Sequence, residues 1–166
     1  MIVVDTNFLI LMIDPDSTQN TNRRADRVRH FVGALAKTNT VIMIPAPSIA
    51  ELVAGRAERI EEIVETVRRL KGFTVQPFDE VIAIETGERI AHWQDSIPPA
   101  DRAPGWKVAM KYDAMIASTA IVRGASEVYT TDTGLGQYLE GSSVVAKLID
   151  ELPLPPEDPQ QQFPWE

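Results

Sequence analysis

The chain has 166 residues, of which 44% are apolar and 24% charged, with a net charge of −8 and no cysteine. This length and composition predict one globular domain and exclude a collagen-like, coiled-coil or wholly disordered chain. The absence of cysteine excludes a disulfide scaffold and thiol chemistry and fits a reducing cytosol. The longest apolar runs are too short to span a bilayer.

The first half of the chain alternates short apolar runs with helical patterns. Its predicted elements are, in order, a buried strand at 1–5, a short helix that stops near Pro15, a helix at 23–37, a strand at 41–44 and a helical segment at 48–70. Thr21 or Asn22 is the expected cap of the helix at 23–37. Gly55 is expected to divide the segment 48–70 into two helices.

The second half continues the alternation. Its predicted elements are a strand at 73–78, a helix at 79–93, a loop at 95–105, a helix at 107–122, a strand at 127–131, a short helix over TGLGQYL and a last strand at 143–149. The helix at 79–93 is expected to bury four apolar side chains: Val81, Ile82, Ile84 and Ile90.

Strands that alternate with helices predict an α/β domain with a parallel sheet covered on both faces. The expected domain is 1–150. The remaining residues, 151–166, are rich in Pro and Gln and predict an irregular tail, which Phe163 and Trp165 would pack against the domain. The N-terminus enters the first strand directly, so we expect no signal peptide.

Two acidic residues follow predicted strands. Asp5 ends the first strand and Asp132 follows the fourth. In open α/β sheets the ligand crevice lies beyond the carboxyl ends of the strands, at a topological switch point. A structural role also explains each residue, because Asp5 could cap a helix and Asp132 could form a cap or an Asx-turn. The sequence leaves both interpretations open.

Glu51 lies in the helical segment that follows the second strand. The run from Ser48 to Glu51 matches a capping box, in which the Glu side chain bonds back to the N–H of the cap residue. Its neighbours along the chain are mostly apolar, which favours a buried functional role instead. The two interpretations are about equally supported.

Asp113 is the most informative acid. Positions 109, 110, 113, 116, 117 and 120 form one face of the helix at 107–122, and Asp113 is its only charged member. Burying an unpaired carboxylate costs several kcal/mol, and Asp113 is too deep in the helix to cap it. We therefore expect a partner from elsewhere in the fold, either an Arg or a metal ion.

The four acids together predict a cation site. Without cations, each close pair of carboxylates would repel by roughly 4 kcal/mol at an effective dielectric constant of 20. Mg²⁺ and Mn²⁺ prefer oxygen ligands, whereas zinc is disfavoured because the chain has no Cys and its two His, His30 and His92, are not near the set. The net charge of −8 weighs against a nucleic-acid partner, but bound cations change the local sign of the field.

Four sequence blocks carry a family resemblance: IVVDTN, PSIAELVAG, KYDAMIASTAIVRGA and YTTDTGL. They resemble the signature blocks of the PIN domain, in the family's order and over about residues 1 to 138. Among PIN proteins the chain looks most similar to small stand-alone members, of which the VapC toxins are the best known. The resemblance implies a three-layer α/β/α fold with a parallel five-stranded sheet.

The resemblance also implies an activity, namely Mg²⁺- or Mn²⁺-dependent hydrolysis of RNA. The residues that match the family's four acidic positions, as catalytic residues and metal ligands, are Asp5, Glu51, Asp113 and Asp132. Those that match its supporting polar positions are Thr6, Asn7 and Thr130. One departure matters, because many members carry a further acid two residues after the fourth, where this chain has Gly134.

Several expectations about partners follow. Basic residues that could hold the RNA backbone are Arg23, Arg24, Arg102, Lys107 and Lys111. If the chain is a toxin, an antitoxin should bury the pocket, and we expect a cytoplasmic homodimer without membrane contact. Two alternatives remain, a non-catalytic PIN fold that binds RNA or protein and a receiver-like regulatory domain. The net charge and Gly134 favour the first, whereas the lack of an acidic pair after the first strand weighs against the second.

Overall fold

The computed structural model describes residues 1–94 and 104–156. The strands are β1 (Ile2–Val4), β2 (Ile42–Pro45), β3 (Phe73–Gln76), β4 (Glu127–Thr130) and β5 (Val145–Leu148). The helices are α1 (Thr6–Ile13), α2 (Arg24–Lys37), α3 (Ala46–Ala54), α4 (Ile60–Arg69), α5 (Glu80–Trp93) and α6 (Trp106–Val122). Short 3₁₀ helices lie at Thr21–Arg23, Ala57–Arg59, Leu135–Leu139 and Ile149–Glu151. The predicted order of elements is confirmed.

The five strands form one sheet in the order β3-β2-β1-β4-β5, and all neighbouring strands are parallel. From β1 the chain passes outward to β2 and β3, and it then crosses back to β4 and β5. The switch point therefore lies between β1 and β4, which pair from Ile2–Glu127 to Val4–Tyr129. Residues that follow these two strands meet at the carboxyl edge of the sheet, where α/β proteins bind ligands.

Helices cover both faces of the sheet. One buried cluster joins α1, α2, α3 and α4 to the sheet and is centred on side chains such as Phe8 and Leu52. The other joins α6 and the 3₁₀ helix at Leu135–Leu139 to the opposite face, through side chains such as Met110 and Tyr138. Successive residues of β1 point into different clusters, since Val3 belongs to the second and Val4 to the first. The predicted three-layer α/β/α fold is confirmed.

The prediction for the interior of α5 is half wrong. Ile82 is buried, but Val81 and Ile84 are 59% and 58% exposed. Apolar residues occur on two faces of this helix, and periodicity alone does not indicate which face the rest of the chain covers. The helix is capped by Asp79, whose other oxygen accepts a hydrogen bond from Arg123 at 2.5 Å.

The expected cap of α2 is also wrong. Neither Thr21 nor Asn22 caps the helix; Arg23 is the N-cap residue, and both Asn22 and Arg23 adopt left-handed backbone angles, with φ of 52° and 55°. The side chain of Asn20 accepts the hydrogen bond from the N–H of Ala25 at 2.9 Å instead. Asn20 precedes the 3₁₀ helix, and the left-handed turn brings its side chain to the first turn of α2. Asn20 thus accepts the hydrogen bond that a cap residue would normally accept.

Two earlier expectations fall outside the described residues. They are the structure of most of the loop at 95–105 and the packing of Phe163 and Trp165. At the start of the tail, Leu152 is buried in the first cluster, and its carbonyl accepts a hydrogen bond from Arg27. Within residues 1–94 and 104–156, no helix is long and apolar enough to cross a membrane.

Candidate functional site

Asp5 joins β1 to both α1 and β4. Its Oδ1 accepts a hydrogen bond from the N–H of Phe8 at 2.7 Å, so Asp5 is the N-cap of α1. Its Oδ2 accepts a second bond from the hydroxyl of Thr130 at 2.6 Å. The residue is only 4% exposed. The capping interpretation and a position at the switch point therefore both hold for Asp5.

The capping-box interpretation of Glu51 is wrong. The helix α3 begins at Ala46, so Ser48 lies inside the first turn and Pro45 is the N-cap residue. Proline is compatible with the first turn because its missing N–H has no helical partner there. Glu51 instead accepts a hydrogen bond from the hydroxyl of Thr6. The hydroxyl of Ser48 is buried without a hydrogen-bond partner.

Asp132 lies in a tight turn after β4. Its Oδ1 accepts a hydrogen bond from the N–H of Gly134 at 2.7 Å, which confirms the Asx-turn. Its own N–H donates to the hydroxyl oxygen of Thr130 at 2.9 Å. Because the same hydroxyl donates to Asp5, Thr130 connects the two acids. Beside this link, Asn7 donates to the hydroxyl of Thr131 at 2.8 Å.

Asp113 lies at the margin of the buried face of α6, not in its middle as predicted. Met110, Ala114 and Ala117 are buried, whereas Ala109 is exposed and Asp113 is partly buried. The expected face was therefore rotated away from the true contact. Asp113 nevertheless lies close enough to Asp132, Glu51 and Asp5 for their charges to raise its pKa.

Electrostatics shows that the four acids share one region. Burial, with smaller contributions from the charges of Asp132, Glu51 and Asp5 in that order, raises the pKa of Asp113 to about 7. Burial also raises the pKa of Asp5 to about 6, against the opposing effect of the bonds from Thr130 and Phe8. No Lys or Arg of residues 1–94 and 104–156 forms an ion pair with any of the four.

The arrangement fits a hard cation but is not a preformed coordination shell. Within the described parts of the chain, no three His, Asp or Glu side chains lie close enough together to bind one metal ion as they stand. The donors that converge are carboxylate oxygens, which Mg²⁺ and Mn²⁺ prefer. An added positive charge would relieve the repulsion that raises the pKa of Asp113. Binding would require rotation of side chains.

Two residues near the acids were missed from the sequence. Thr131 receives the bond from Asn7, and Tyr138 is buried with its hydroxyl close enough for Asp113 and Asp132 to affect it. Burial, with those two charges as smaller contributions, raises the pKa of Tyr138 to about 12. The repeated threonines of TTDT were a usable signal for Thr131. No pattern pointed to Tyr138, whose position depends on how the 3₁₀ helix packs on α6.

The basic candidates differ in their availability. Arg23 pairs with Asp26 at 2.8 Å, and Arg24 pairs with Asp150 at 2.5 Å. Arg102 lies outside the described residues. Lys107 and Lys111 are exposed on α6, and the ammonium group of Lys107 lies 5.7 Å from the centre of the Trp106 ring.

An apolar groove of about 460 Å³ lies between α3 and α6. Its lining includes Ala50 and Tyr112, the residues that directly precede Glu51 and Asp113, together with Phe78 and Lys111. The groove therefore borders the two helices that carry half of the acidic site.

Comparison with known proteins identifies the class. The PIN domain family matches residues 2–139, most of the chain. The chain therefore belongs to the PIN domain family, as the four sequence blocks indicated. A comparison with curated proteins finds no match.

Several solved structures share the fold. VapBC2 from Rickettsia felis, bound to a DNA fragment from its promoter, matches with a TM-score of 0.61 and 19% identity over 89% of this chain and 98% of the other. DNA-bound VapBC from Salmonella typhimurium gives 0.59 and 20% over 89% and 97%. The sarcin-ricin loop cleaving toxin VapC20 from Mycobacterium tuberculosis gives 0.53 and 14% over 81% and 92%. The fold is thus that of VapC toxins.

The strand order also separates the chain from receiver-like domains. Receivers have the order 2-1-3-4-5, whereas this sheet has the order 3-2-1-4-5. The receiver-like alternative is therefore removed by topology as well as by family.

The raised pKa of Asp113 predicts how stability depends on pH. Since the folded-state pKa of about 7 exceeds the ordinary value of 3.8, the folded protein keeps a proton that the unfolded chain loses. The contribution of Asp113 to the free energy of unfolding is fully present below about pH 4 and is lost as the pH rises through 7. Without divalent metal, Asp113→Asn should therefore be more stable than the wild type at pH 8, by roughly 1–3 kcal/mol after allowance for solvent screening.

Thermal unfolding in a chelator at pH 5 and pH 8 measures this difference. The advantage of Asp113→Asn should shrink at pH 5. Asp16→Asn, at an exposed position between α1 and α2, is the matched control and should leave stability nearly unchanged at both pH values. An Asp113→Asn variant that is less stable than the wild type at pH 8 would contradict the electrostatic account.

Proposed function

We propose that the chain is a Mg²⁺- or Mn²⁺-dependent endoribonuclease. The observation that carries this proposal is the convergence of four carboxylates at the switch point, without a Lys or Arg ion-paired to them among the described residues. Membership of the PIN family supports the same activity. The four carboxylates, Asp5, Glu51, Asp113 and Asp132, form the site, and the polar side chains that position them are Thr6, Asn7 and Thr130.

The side chains would act by positioning. Thr6 engages one oxygen of Glu51, and Thr130 and the N–H of Phe8 each engage one oxygen of Asp5, so both carboxylates are held in place beside the proposed cation site. A divalent cation held there would lower the pKa of a bound water and stabilise the charge that develops on the phosphate. Hydrolysis of this kind needs no protein nucleophile and leaves a 5′-phosphate and a 3′-hydroxyl.

Asp113→Asn tests the activity directly. Substitutions around metal ligands typically reduce activity or metal affinity 10–100-fold, so loss of a central carboxylate should reduce RNA cleavage by at least about 100-fold. The measurement is the rate of cleavage of a susceptible RNA with Mg²⁺ or Mn²⁺, together with the chemistry of the new ends. Asp16→Asn should cleave at the wild-type rate. Equal cleavage by Asp113→Asn, with its fold intact, would remove Asp113 from the site.

Lys107 and Lys111 are proposed to hold the RNA backbone. Both are exposed and lie on the helix that carries Asp113, whereas the guanidinium groups of Arg23 and Arg24 are engaged by Asp26 and Asp150. Arg23 and Arg24 could contribute only if those ion pairs open, and Arg102 remains a candidate from sequence.

The salt dependence of RNA binding tests this role. Each phosphate contact to single-stranded nucleic acid contributes about 0.7 to the slope of log affinity against log salt. Lys111→Ala should therefore weaken binding of a single-stranded RNA by the catalytically inactive Asp113→Asn chain and lower that slope by about 0.7. Lys37→Ala, at the end of α2 and also exposed, is the control. An unchanged slope for Lys111→Ala would exclude a phosphate contact.

The biological role that fits best is the toxin of a toxin–antitoxin pair in the cytoplasm. The solved structures of VapBC from Rickettsia felis and Salmonella typhimurium are complexes bound to DNA. By analogy, an antitoxin would insert a basic side chain among the four acids. We also propose a homodimer, for which the groove lined by Phe78 and Val108 offers an exposed apolar surface.

Measurement of molar mass in solution tests both partners. The chain alone should have the mass of a dimer, and addition of the protein encoded beside it should give a heavier complex and inhibit cleavage. A monomer would contradict self-association. Absence of any complex or inhibition would contradict the antitoxin.

The alternative is a PIN fold that binds RNA or protein without cutting. The net charge of −8 and the absence of an acid at Gly134 favour it. Calorimetry that detects no Mn²⁺ or Mg²⁺ binding would support this alternative over the nuclease.

A further inference from the structure

A second groove lies at the other edge of the sheet from the acids, where the parallel strands begin. It has a volume of about 290 Å³ and lies between the last turns of α2 and the segments that enter β2 and β3. Its apolar lining includes Val32, Ala36 and Val41, and Lys71 also lines it. The groove has room for about ten waters at roughly 30 Å³ each. Covering such an apolar surface with an apolar side chain is favourable.

The described part of the chain ends beside the same helix. The carbonyl of Leu152 accepts a hydrogen bond from Arg27, in the first turn of α2. Leu152 is buried and Pro155 is partly buried. The chain therefore still contacts the domain just before Pro156, the last residue that the structure describes.

The ten residues that follow, 157–166, are long enough to reach the groove. The axis of α2 from Arg27 to Ala36 is about 14 Å long, at about 1.5 Å per residue. A chain in the polyproline II conformation advances about 3.1 Å per residue, so the nine residues from Pro156 to Trp165 span about 28 Å. The two prolines within the segment favour extended conformations of this kind. Trp165 can therefore reach the end of α2.

The segment also matches the groove in its chemistry. Phe163 and Trp165 are its large apolar residues, and alternate residues of an extended chain face the same side. All its charged residues are acidic, namely Glu157, Asp158 and Glu166. Lys71 and Lys37, which directly follows the lining residue Ala36, are exposed and form no ion pair within residues 1–94 and 104–156. Apolar and charged groups are thus complementary on the two sides.

The groove between α3 and α6 suits this segment less well. It borders Glu51 and Asp113, whose negative charges would repel an acidic segment. Its described lining residues belong to α3, to α6 and to the segment after β3, and none belongs to α2. The groove beside α2 is therefore favoured both by charge and by the place where the described chain ends.

We propose that residues 157–166 fold back along α2 and that Trp165 binds in the groove lined by Val32, Ala36 and Val41. Glu166 then lies beside Lys71, and Phe163 packs on the C-terminal half of α2. Binding of the segment extends the first buried cluster, since Val32 packs against that cluster. This inference does not depend on the proposed ribonuclease activity.

Paramagnetic labelling of the full chain tests the inference. Because the chain has no cysteine, a nitroxide attaches only to the thiol of Gln162→Cys, a variant that keeps both aromatic residues of the segment. The label should broaden the backbone NMR signals of Val41 and Gly72, which line the groove beside α2. The signals of Phe78 and Val108, which line the other groove, should stay sharp.

Mixed chains distinguish the chain's own segment from that of a second copy. Isotope-labelled chains without nitroxide are combined with nitroxide-labelled chains that carry no isotope. If the segment binds its own groove, the signals of Val41 and Gly72 in the isotope-labelled chains should stay sharp in this mixture.

Two pairs of variants provide matched controls. Ala36→Glu places a negative charge in the groove and should abolish the broadening there. Ala34→Glu, about 200° away on α2 at about 100° per residue and also exposed, should leave the broadening unchanged. In the segment itself, Trp165→Ala should abolish the broadening, whereas Gln161→Ala should not.

Several results would overturn the inference. They are broadening that is strongest at Phe78 and Val108, broadening in the mixed chains as strong as in the labelled chain alone, and no broadening beyond residues 150–156. Equal effects of Ala36→Glu and Ala34→Glu would also overturn it. None of these measurements involves metal or RNA, so failure here leaves the proposed function untouched.

Discussion

The hydrogen bond from the Thr130 hydroxyl to the Asp5 carboxylate is the constraint on which the site depends. It joins the ends of β1 and β4, the two strands between which the chain changes direction across the sheet. Asp5 also caps α1, and Thr130 also accepts the N–H of Asp132. One buried contact thus fixes a strand end, a helix start and a turn.

The next layer of contacts depends on this one. Because α1 starts at Thr6, its first turn presents Thr6 to Glu51 and Asn7 to Thr131. The helix α3 is thereby connected to α1, and α1 to the end of β4. Thr6 and Thr130 therefore hold Glu51 and Asp5, which lie on distant segments of the chain, in fixed positions.

The arrangement stores electrostatic free energy. Burial among like charges raises the pKa of Asp113 to about 7, which means that its ionised form is disfavoured in the folded chain. The free energy of unfolding of a protein is only about 5–15 kcal/mol. The repulsion between these acids must therefore be offset by the burial of a large apolar core. Here two separate clusters on the two faces of the sheet provide that core.

Much of the fold followed from local sequence, because buried strands such as 41–44 are short β-branched runs and Gly55 interrupts its helix. The predictions that were wrong concerned features that depend on tertiary contacts or on the backbone conformation. Val81 and Ile84 fit a helical pattern, yet nothing in the pattern shows which face of α5 packs on α6. The Asn22–Arg23 turn needs left-handed backbone angles that non-glycine residues rarely adopt. Ser48 matched a cap motif, but Pro47 allowed α3 to start earlier.

The residues of the proposed site could be identified from the sequence, but their geometry could not. The ends of predicted strands indicated Asp5 and Asp132, and a single acid on an apolar helix face indicated Asp113. The predicted face was partly wrong, because it included Ala109, which is exposed. The Thr6–Glu51 bond joins residues 45 positions apart, and the effect of Asp113 on Tyr138 crosses from α6 to a 3₁₀ helix. Neither leaves a local pattern.

The structural roles that the sequence suggested for the acids differ from one acid to the next. Asp5 is fully engaged by the cap and the strand link, whereas Asp113 has no cap to make and stays partly exposed. For Asp5 and Asp132 the sequence left open a cap or turn and a role in the proposed site; the cap and the turn are formed, and neither excludes that role. The fold therefore holds both oxygens of Asp5, whereas neither oxygen of Asp113 accepts a hydrogen bond from the described residues.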